Sequence, residues 1–440
     1  MFRFIHAADI HLDSPLLGLR AYDSAPIERL RAAPRRALEN LVDLAIRTQV
    51  DFLLIAGDVF DGDWKDYSTG QFFVKQMAKL RDCRIPVYLI AGNHDAENKM
   101  SRSLPYPDNV HLFESSHATT RRIESIQVAI HGQSFATQAV TEDLSMNYPA
   151  QVPGWFNIGL LHTSCTGREG HENYAPCTLE GLGTRNYDYW ALGHIHKREV
   201  LSQKPWVVFP GNIQGRHAKE TGPKGCYVVS VSDQQTIEAT FEPLDVLRWE
   251  TLALDVGPIG DLGELPNLFK TSLQETIDLC ADRLLAIRIE LQGQSPLHRR
   301  FRVEREHILQ SCQSVATGLS IDGVWIEKVL CNTRMPNESD QQSDASQDAI
   351  RAIMGVFQDA KTNPDFYKQL QFDMSTVRSK IPSELRTAEL DGYLEGSSVL
   401  LEQAQERLLD LLGSEFSQSD SARAESLKSE SLKSDLGETR

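Results

Sequence analysis

The sequence predicts a mixed α/β fold, on three observations. Apolar strand patterns alternate with helical ones through residues 1–245. The strands are near-continuous apolar runs, which suits a sheet covered by helices on both faces. The later strands follow one another with little helix between them, so part of the sheet is expected to be antiparallel.

Taken in order, "RFIHAAD" is the first strand. The stretch "IERLRAAPRRALENLVDLAIRTQ" places Leu30, Ala33, Ala37, Leu41 and Leu44 at helical spacing, with Pro34 expected to start or kink the helix. "VDFLLIAGD" is a strand, and "STGQFFVKQMAKLRD" is a helix for which Ser68 or Thr69 is the expected cap. "IPVYLIAGNHD", "IQVAIHGQSF", "FNIGLLHTS", "DYWALGHIH", "WVVFPGN" and "GCYVVSVS" are further strands. Residues 246–330 read as a small α+β domain, in which "DVLRWETLALDV" and "LLAIRIELQG" flank the helical "LGELPNLFKTSLQETIDLCAD". Residues 331–348 are polar and read as a linker. Residues 349–415 carry helical periodicity, and the tail 416–440, with its repeated "ESLKS", is of low complexity and expected to be disordered.

At 440 residues the chain exceeds one ordinary domain. No apolar run reaches the ~20 residues that span a bilayer. The N-terminus places acids and histidines where a signal peptide would be apolar. A cytoplasmic protein without membrane partners is expected. The seven cysteines are scattered without a CxxC, which argues against a disulfide framework or a zinc ribbon. The net charge of −16 opposes non-specific nucleic-acid binding, but it is unevenly spread. Residues 1–245 hold 24 Lys+Arg and 29 Asp+Glu, a balance of −5, which two divalent cations would nearly cancel.

The chemistry sits at the strand ends. The first strand runs into Asp9 and His11, the second into Asp58, and the third into Asn93 and His94. "FNIGLLHTS" ends at His162, and "DYWALGHIH" supplies His194 and His196. In such sheets ligands bind at the carboxyl ends of the strands. Alternate residues of an extended segment face the same way, so Asp9 with His11, and His194 with His196, are each expected to point together. Taken singly, each piece has an ordinary structural reading: a Gly-Asp turn, an Asn-closed turn, a satisfied core histidine. Taken jointly, two Asp, one Asn and four His make seven ligands. One tetrahedral zinc takes four, so seven suit two six-coordinate ions that share Asp58. Mixed oxygen and nitrogen ligation without thiolate favours manganese or iron over calcium.

The ordered set D-x-H, G-D-x-x-D, G-N-H-D, x-H-T and G-H-x-H resembles the calcineurin-like metallophosphoesterases over residues 1–245. Within them "AADIHLDSP", "AGDVFD" and "GNHD" look like the SbcD-type DNA repair nucleases, and "FPGNIQGRHAKETGPKGCYVV" looks like their YhaO branch. The resemblance implies a four-layer β-sandwich flanked by helices, with a small α+β capping domain that binds DNA. It also implies C-terminal helices that dock on an SMC-like coiled-coil ATPase of the SbcC/YhaN type, and a homodimer is possible.

It implies two divalent ions, Mn2+ first, with Fe2+, Mg2+ and Zn2+ as alternatives. Asp9, His11, Asp58 and His196 would hold one, and Asp58, Asn93, His162 and His194 the other. His94 would stand outside both shells as general acid, and Asp95 would either orient it or cap the following turn. The arginines that grip a phosphomonoester in related protein phosphatases are missing from "GDVFDGD" and "AGNHD", which disfavours monoesters. Arg216, His217 and Lys219 are candidates for DNA-phosphate contacts, with a solvated loop as the alternative. "RRFRVERE" at 299–306 could also meet DNA, or form the exposed face of a strand. The expected function is a two-metal DNA repair nuclease. The alternatives are a small-molecule or cyclic-nucleotide phosphodiesterase, and a non-catalytic scaffold.

Overall fold

The first strand, β1 (Phe2–Ala7), sets the layering. Its residues alternate between two apolar clusters: Phe4 joins one, while Ile5 and Ala7 join another. The second strand, β2 (Phe52–Ala56), does the same, with Phe52, Leu54 and Ala56 on one side and Leu53 and Ile55 on the other. A strand buried on both faces needs no polar alternation, which is why these runs read as continuous apolar sequence. A computed structural model describes residues 1–14, 26–61, 67–97, 104–165, 174–280, 283–320, 323–336, 354–360 and 363–380, with 401, 404, 405 and 408.

Two six-stranded sheets form. In the first, β1, β2, β3 (Val87–Ile90) and β4 (Val110–Leu112) run parallel, while β11 (Gly225–Val231) and β12 (Ile237–Pro243) complete it antiparallel, in the order β12-β11-β1-β2-β3-β4. In the second, β6 (Val128–Gly132), β7 (Phe156–His162), β8 (Tyr189–Gly193) and β10 (Trp206–Phe209) are parallel, and β5 (Thr119–Ile123) and β9 (Glu199–Gln203) are antiparallel edges. Its order is β5-β6-β7-β8-β10-β9. The sheets face one another across an aromatic core. Phe4 stacks on Phe52 at 5.0 Å and meets Tyr189 edge-on at 5.3 Å, which bridges the two sheets. Each such buried ring contributes roughly 1.5–3 kcal/mol by burial alone.

The outer face of the first sheet is covered by α1 (Ile27–Thr48) and α2 (Tyr67–Asp82), through Leu38, Leu41, Ala45, Phe73 and Met77. The short α3 (Asn93–Glu97) follows β3. On the outer face of the second sheet, Trp190, Leu192 and Val207 pack with Leu182 of α4 (Leu179–Gly183). The four layers expected from the resemblance are therefore present. A third sheet follows, of β13 (Leu247–Asp255), β14 (Leu284–Gln294) and β15 (Val324–Arg334), with α5 (Leu265–Leu279), α6 (His298–Val303) and α7 (Arg305–Leu319).

The chain divides into two compact units, Met1–Gly293 with Arg305–Asn332, and Gln294–Glu304 with Thr333–Arg440. The first holds both large sheets. In the second, α6 buries Phe301, and the helix Pro364–Lys380 exposes Phe366 and Phe372. Among the described residues no helix is long and apolar enough to cross a membrane, and the cysteines are free thiols.

Several local expectations are corrected. The first helix begins at Ile27, so Pro34 lies inside it and does not start it. The apolar stripe of Leu30, Ala33, Ala37 and Leu41 is buried on both sides of the proline, and that packing outweighs the lost backbone bond. Neither Ser68 nor Thr69 caps α2, which starts one residue earlier; Thr69 Oγ1 instead donates to Asp13 at 2.5 Å. The segment 299–306 is helical rather than extended, with Arg300 paired to Glu304 one turn on. Strand β15 runs through Arg334, four residues into the expected linker. Strands β4, β5, β9, β12 and β15 add to the expected set; they are short or only partly buried, so they lack the apolar runs that mark the others. Residues 354–360 and 364–380 are helical as expected, whereas the tail 416–440 lies outside the described residues.

Candidate metal centre

The ends of β1, β2, β3, β7 and β8 meet at one edge of the sandwich, but not by simple extension. Asp9, His11, Asp58 and His194 all have positive φ (51°, 45°, 50° and 100°). The extended backbone expected for these pairs is therefore corrected, although Asp9 and His11 still point together, into one triad, whereas His194 and His196 do not. The strands end at Ala7 and Gly193, and the chain must turn past the sheet edge to bring its side chains inward. Left-handed backbone at a non-glycine residue costs about 1–3 kcal/mol each. Backbone bonds hold it there: Asp9 N–H to Gly57 O (3.1 Å), His11 N–H to Asp58 O (3.0 Å), and His194 N–H to the Asp9 carboxylate (3.0 Å).

Two glycines make room. A Cβ on Gly92 would lie 2.3 Å from Asp58 Oδ1, and one on Gly193 would lie 1.9 Å from Ala56 O. Both positions admit only hydrogen.

The seven predicted ligands converge. Their ligand atoms form three overlapping triads, Asp9/His11/His196, His11/Asp58/His94 and Asp58/His162/His194, each within 4.8 Å. Asn93 Oδ1 lies 2.9 Å from His162 Nε2 and 3.2 Å from His194 Nδ1. His194 and His196, two residues apart, part company and serve opposite ends of the cluster. The middle triad includes His94, which the sequence expectation keeps outside both shells. Apart from His94 and His196, these side chains are buried.

The electrostatics fit cations. His11 Nε2 and His196 Nε2 face each other at 3.0 Å. His11 Nδ1 is buried and faces Asp61 Oδ1 at 3.5 Å. Burial lowers the pKa of His11 and brings His196 down to about 4, so both imidazoles are neutral and offer lone pairs. Burial raises Asp9. Burial would raise Asp58 too, yet His162, His11 and His94 hold it well below the carboxylate range. Burial opposes a proton on His162, but the charge and hydrogen bond of Asp58 outweigh it and raise the ring to about 9. Four imidazoles and two carboxylates crowded this closely, with nitrogens facing one another, form a donor set that divalent ions complete.

Two residues that the sequence expectation does not single out organise the rim. Asp61 accepts from His94 Nδ1 (2.9 Å) and from Arg216 (3.2 Å). Its carboxyl resists the cost of burial and stays well below the usual range because His11 and His94 donate to it. Asp61 is legible as the last residue of G-D-x-x-D. Glu220 accepts from His196 Nδ1 at 2.7 Å, and nothing local in its loop signals that contact. Burial lowers His94, but the Asp61 hydrogen bond more than offsets this and the net shift is upward.

Of the two roles left open for Asp95, its contacts are those of a cap. Its carboxylate accepts backbone N–H groups from Val59 (3.2 Å), Phe60 (2.9 Å) and Gly92 (3.1 Å). Of the loop residues Arg216, His217 and Lys219, the Arg216 side chain is 17% exposed and tied into the site, while His217 and Lys219 are exposed at the rim. Arg216 thus supplies, from a distant loop, a guanidinium that the motifs themselves lack.

Comparison with known proteins agrees. The model of the calcineurin-like phosphoesterases matches residues 2–198, and that of the middle domain of metallophosphoesterase YhaO matches residues 249–334. The chain is 37% identical over 297 residues to the uncharacterized metallophosphoesterase YhaO of Bacillus subtilis, covering 67% of this chain and 72% of that one. It is 25% identical over 230 residues to the DNA double-strand break repair protein Mre11 of Methanopyrus kandleri, 48% of each. It is 23% identical over 273 residues to an SbcCD nuclease component of Staphylococcus epidermidis, 56% of this chain and 70% of that one. With the motif residues gathered at one edge of a two-sheet sandwich and a relative matched over most of its length, the chain belongs to the calcineurin-like metallophosphoesterases, metal-dependent phosphoesterases, in their YhaO-like branch.

Proposed function

We propose that this protein is a two-metal phosphodiesterase that cuts DNA, a repair nuclease working with an SMC-like coiled-coil ATPase of the SbcC/YhaN type. The observation that carries it is the convergence of seven ligand side chains beside a His94 backed by Asp61. Asp9, His11, Asp58 and His196 would hold one cation, and Asp58, Asn93, His162 and His194 the other; Mn2+ suits this donor set. When bound there, two such cations would supply a water made nucleophilic near neutral pH and positive charge for the phosphate oxygens.

The chain's own residues do the rest. His94, at the mouth of the site, protonates the departing ester oxygen from Nε2 while Nδ1–H stays on Asp61. The carboxylate raises the proton affinity of the ring and so keeps the acid form populated. Asp95 fixes the turns that present Asp58 and His94. Arg216 faces the phosphate from the rim, and His217 and Lys219 meet the flanking backbone. The names of the Mre11 and SbcCD relatives, a DNA double-strand break repair protein and a subunit of a nuclease, support DNA as the substrate and a second subunit as the partner, and the helix Pro364–Lys380 with its exposed Phe366 and Phe372 offers an apolar docking surface. A cytoplasmic location and a homodimer accord with this role.

One observation favours a second reading: the guanidinium of Arg216 could also grip the extra charge of a phosphomonoester or small diester. The test is hydrolysis of a labelled DNA duplex with Mn2+, with and without chelator, beside p-nitrophenyl phosphate and bis-p-nitrophenyl phosphate. DNA cleavage that vanishes with chelator, and in His94→Ala with metal content retained, is the expected outcome. Turnover of the small esters with intact DNA would replace the nuclease reading.

A further inference from the structure

The loop from Pro210 to Lys224 is stitched to the site on one side and to β13 on the other. On the site side, Glu220 stands at the centre. Its Oε1 accepts from His196 Nδ1 at 2.7 Å, and its Oε2 accepts from Asn212 Nδ2 (2.9 Å) and from the backbone N–H of Arg216 (2.7 Å). The side chain is 7% exposed. The loop also grips the backbone around His196: Lys224 Nζ donates to His196 O (3.2 Å), and a Cβ on Gly211 would lie 2.7 Å from that same oxygen.

On the other side, Gln214 Oε1 accepts from Val246 N–H (3.0 Å) and its Nε2 donates to Leu247 O (2.5 Å). Gly222 N–H donates to Trp249 O (3.0 Å), and Ala218 is buried with Leu247, Trp249 and Trp325.

Two groups compete for His196 Nδ1. Arg216 can only donate to it, at 3.3 Å, and a carboxylate can only accept from it, at 2.7 Å. The shorter, charge-assisted contact decides, so the proton sits on Nδ1 and the Nε2 lone pair faces His11 and Asp9.

We propose that Glu220 is a positioning residue for the metal centre: it selects the tautomer and fixes the ring of His196, and it draws its own rigidity from a loop seated on β13. The proposal rests on the two-metal reading above. It assigns Glu220 to one cation only, the one held by Asp9, His11 and His196.

The test is Mn2+ titration of the metal-free protein by calorimetry, with electron paramagnetic resonance of the loaded forms, for wild type, Glu220→Ala and Glu220→Gln. Wild type should bind two ions and give a spin-coupled pair. Glu220→Ala should weaken one site about 10–100-fold and leave the other, so that one equivalent of Mn2+ gives the signal of an isolated ion. Glu220→Gln, whose amide oxygen still accepts from Nδ1, should recover most of that affinity. If Glu220→Ala does not fold, a folded Glu220→Gln with a single site weakened by less than about tenfold supports the same role. Wild-type affinity at both sites in the variants, or equal loss at both, overturns the proposal. A wild type that takes up no Mn2+ instead overturns the metal reading beneath it.

Discussion

Replacing Asp61 with Asn tests the acid role of His94 directly. The perturbation is small in volume: it keeps an oxygen near His94 Nδ1, now 2.9 Å from Asp61 Oδ1, and removes only the charge. A hydrogen bond to a charged group is worth about 1.5–3 kcal/mol. The His94 side chain is 34% exposed, so solvent screening holds the change to the lower end, about 1.5 kcal/mol. His94 acts as its protonated form, so activity is present at low pH and lost as pH rises through its pKa. Without the carboxylate the pKa falls, and the loss should begin at lower pH. The assay is kcat/KM against pH at saturating Mn2+, for wild type and Asp61→Asn, on a DNA diester and on a p-nitrophenyl diester. The DNA reaction should fall about tenfold on the alkaline side. The p-nitrophenyl reaction should barely change, because that leaving group departs without a proton. Equal losses on both substrates, or an unmoved alkaline limb, would refute the assignment.

Gly92→Ala should abolish binding of at least one metal while circular dichroism stays native, because the new Cβ would sit 2.3 Å from Asp58 Oδ1 and 2.7 Å from His162 Cε1. Calorimetry with Mn2+ reads this, and two intact sites would show that the loop gives way. His6 donates from Nε2 to Leu192 O (3.1 Å), accepts from Tyr189 at Nδ1 (3.1 Å), and is held neutral by burial with its pKa lowered to about 3. Its folded pKa lies below the unfolded value of 6.5, so protonation favours the unfolded chain. Stability should therefore fall between pH 6.5 and about 3, by on the order of 4 kcal/mol in total. His6→Gln should be weaker at pH 7 yet lose less on acidification. Urea melts at pH 7 and 4.5 measure the slope, and parallel slopes in both proteins would rule His6 out.

The sequence by itself determined the strands and what stands at their ends. An apolar run of five to seven residues buried on both faces has no other use for so many Val, Ile, Leu and Phe, and five such runs ending in Asp, His or Asn survive without any knowledge of pairing. It also held the G-D-x-x-D spacing that brings Asp61 to His94. Tertiary structure decided the rest. The separation of His194 from His196 depends on left-handed backbone past the strand end, which period-two alternation does not encode. The contacts Glu220–His196 and Arg216–Asp61 join segments 24 and 155 residues apart. Such contacts exist only once β1, β2, β8 and β11 have taken their neighbours, since sheet register, and no local pattern, sets which loops meet at the edge.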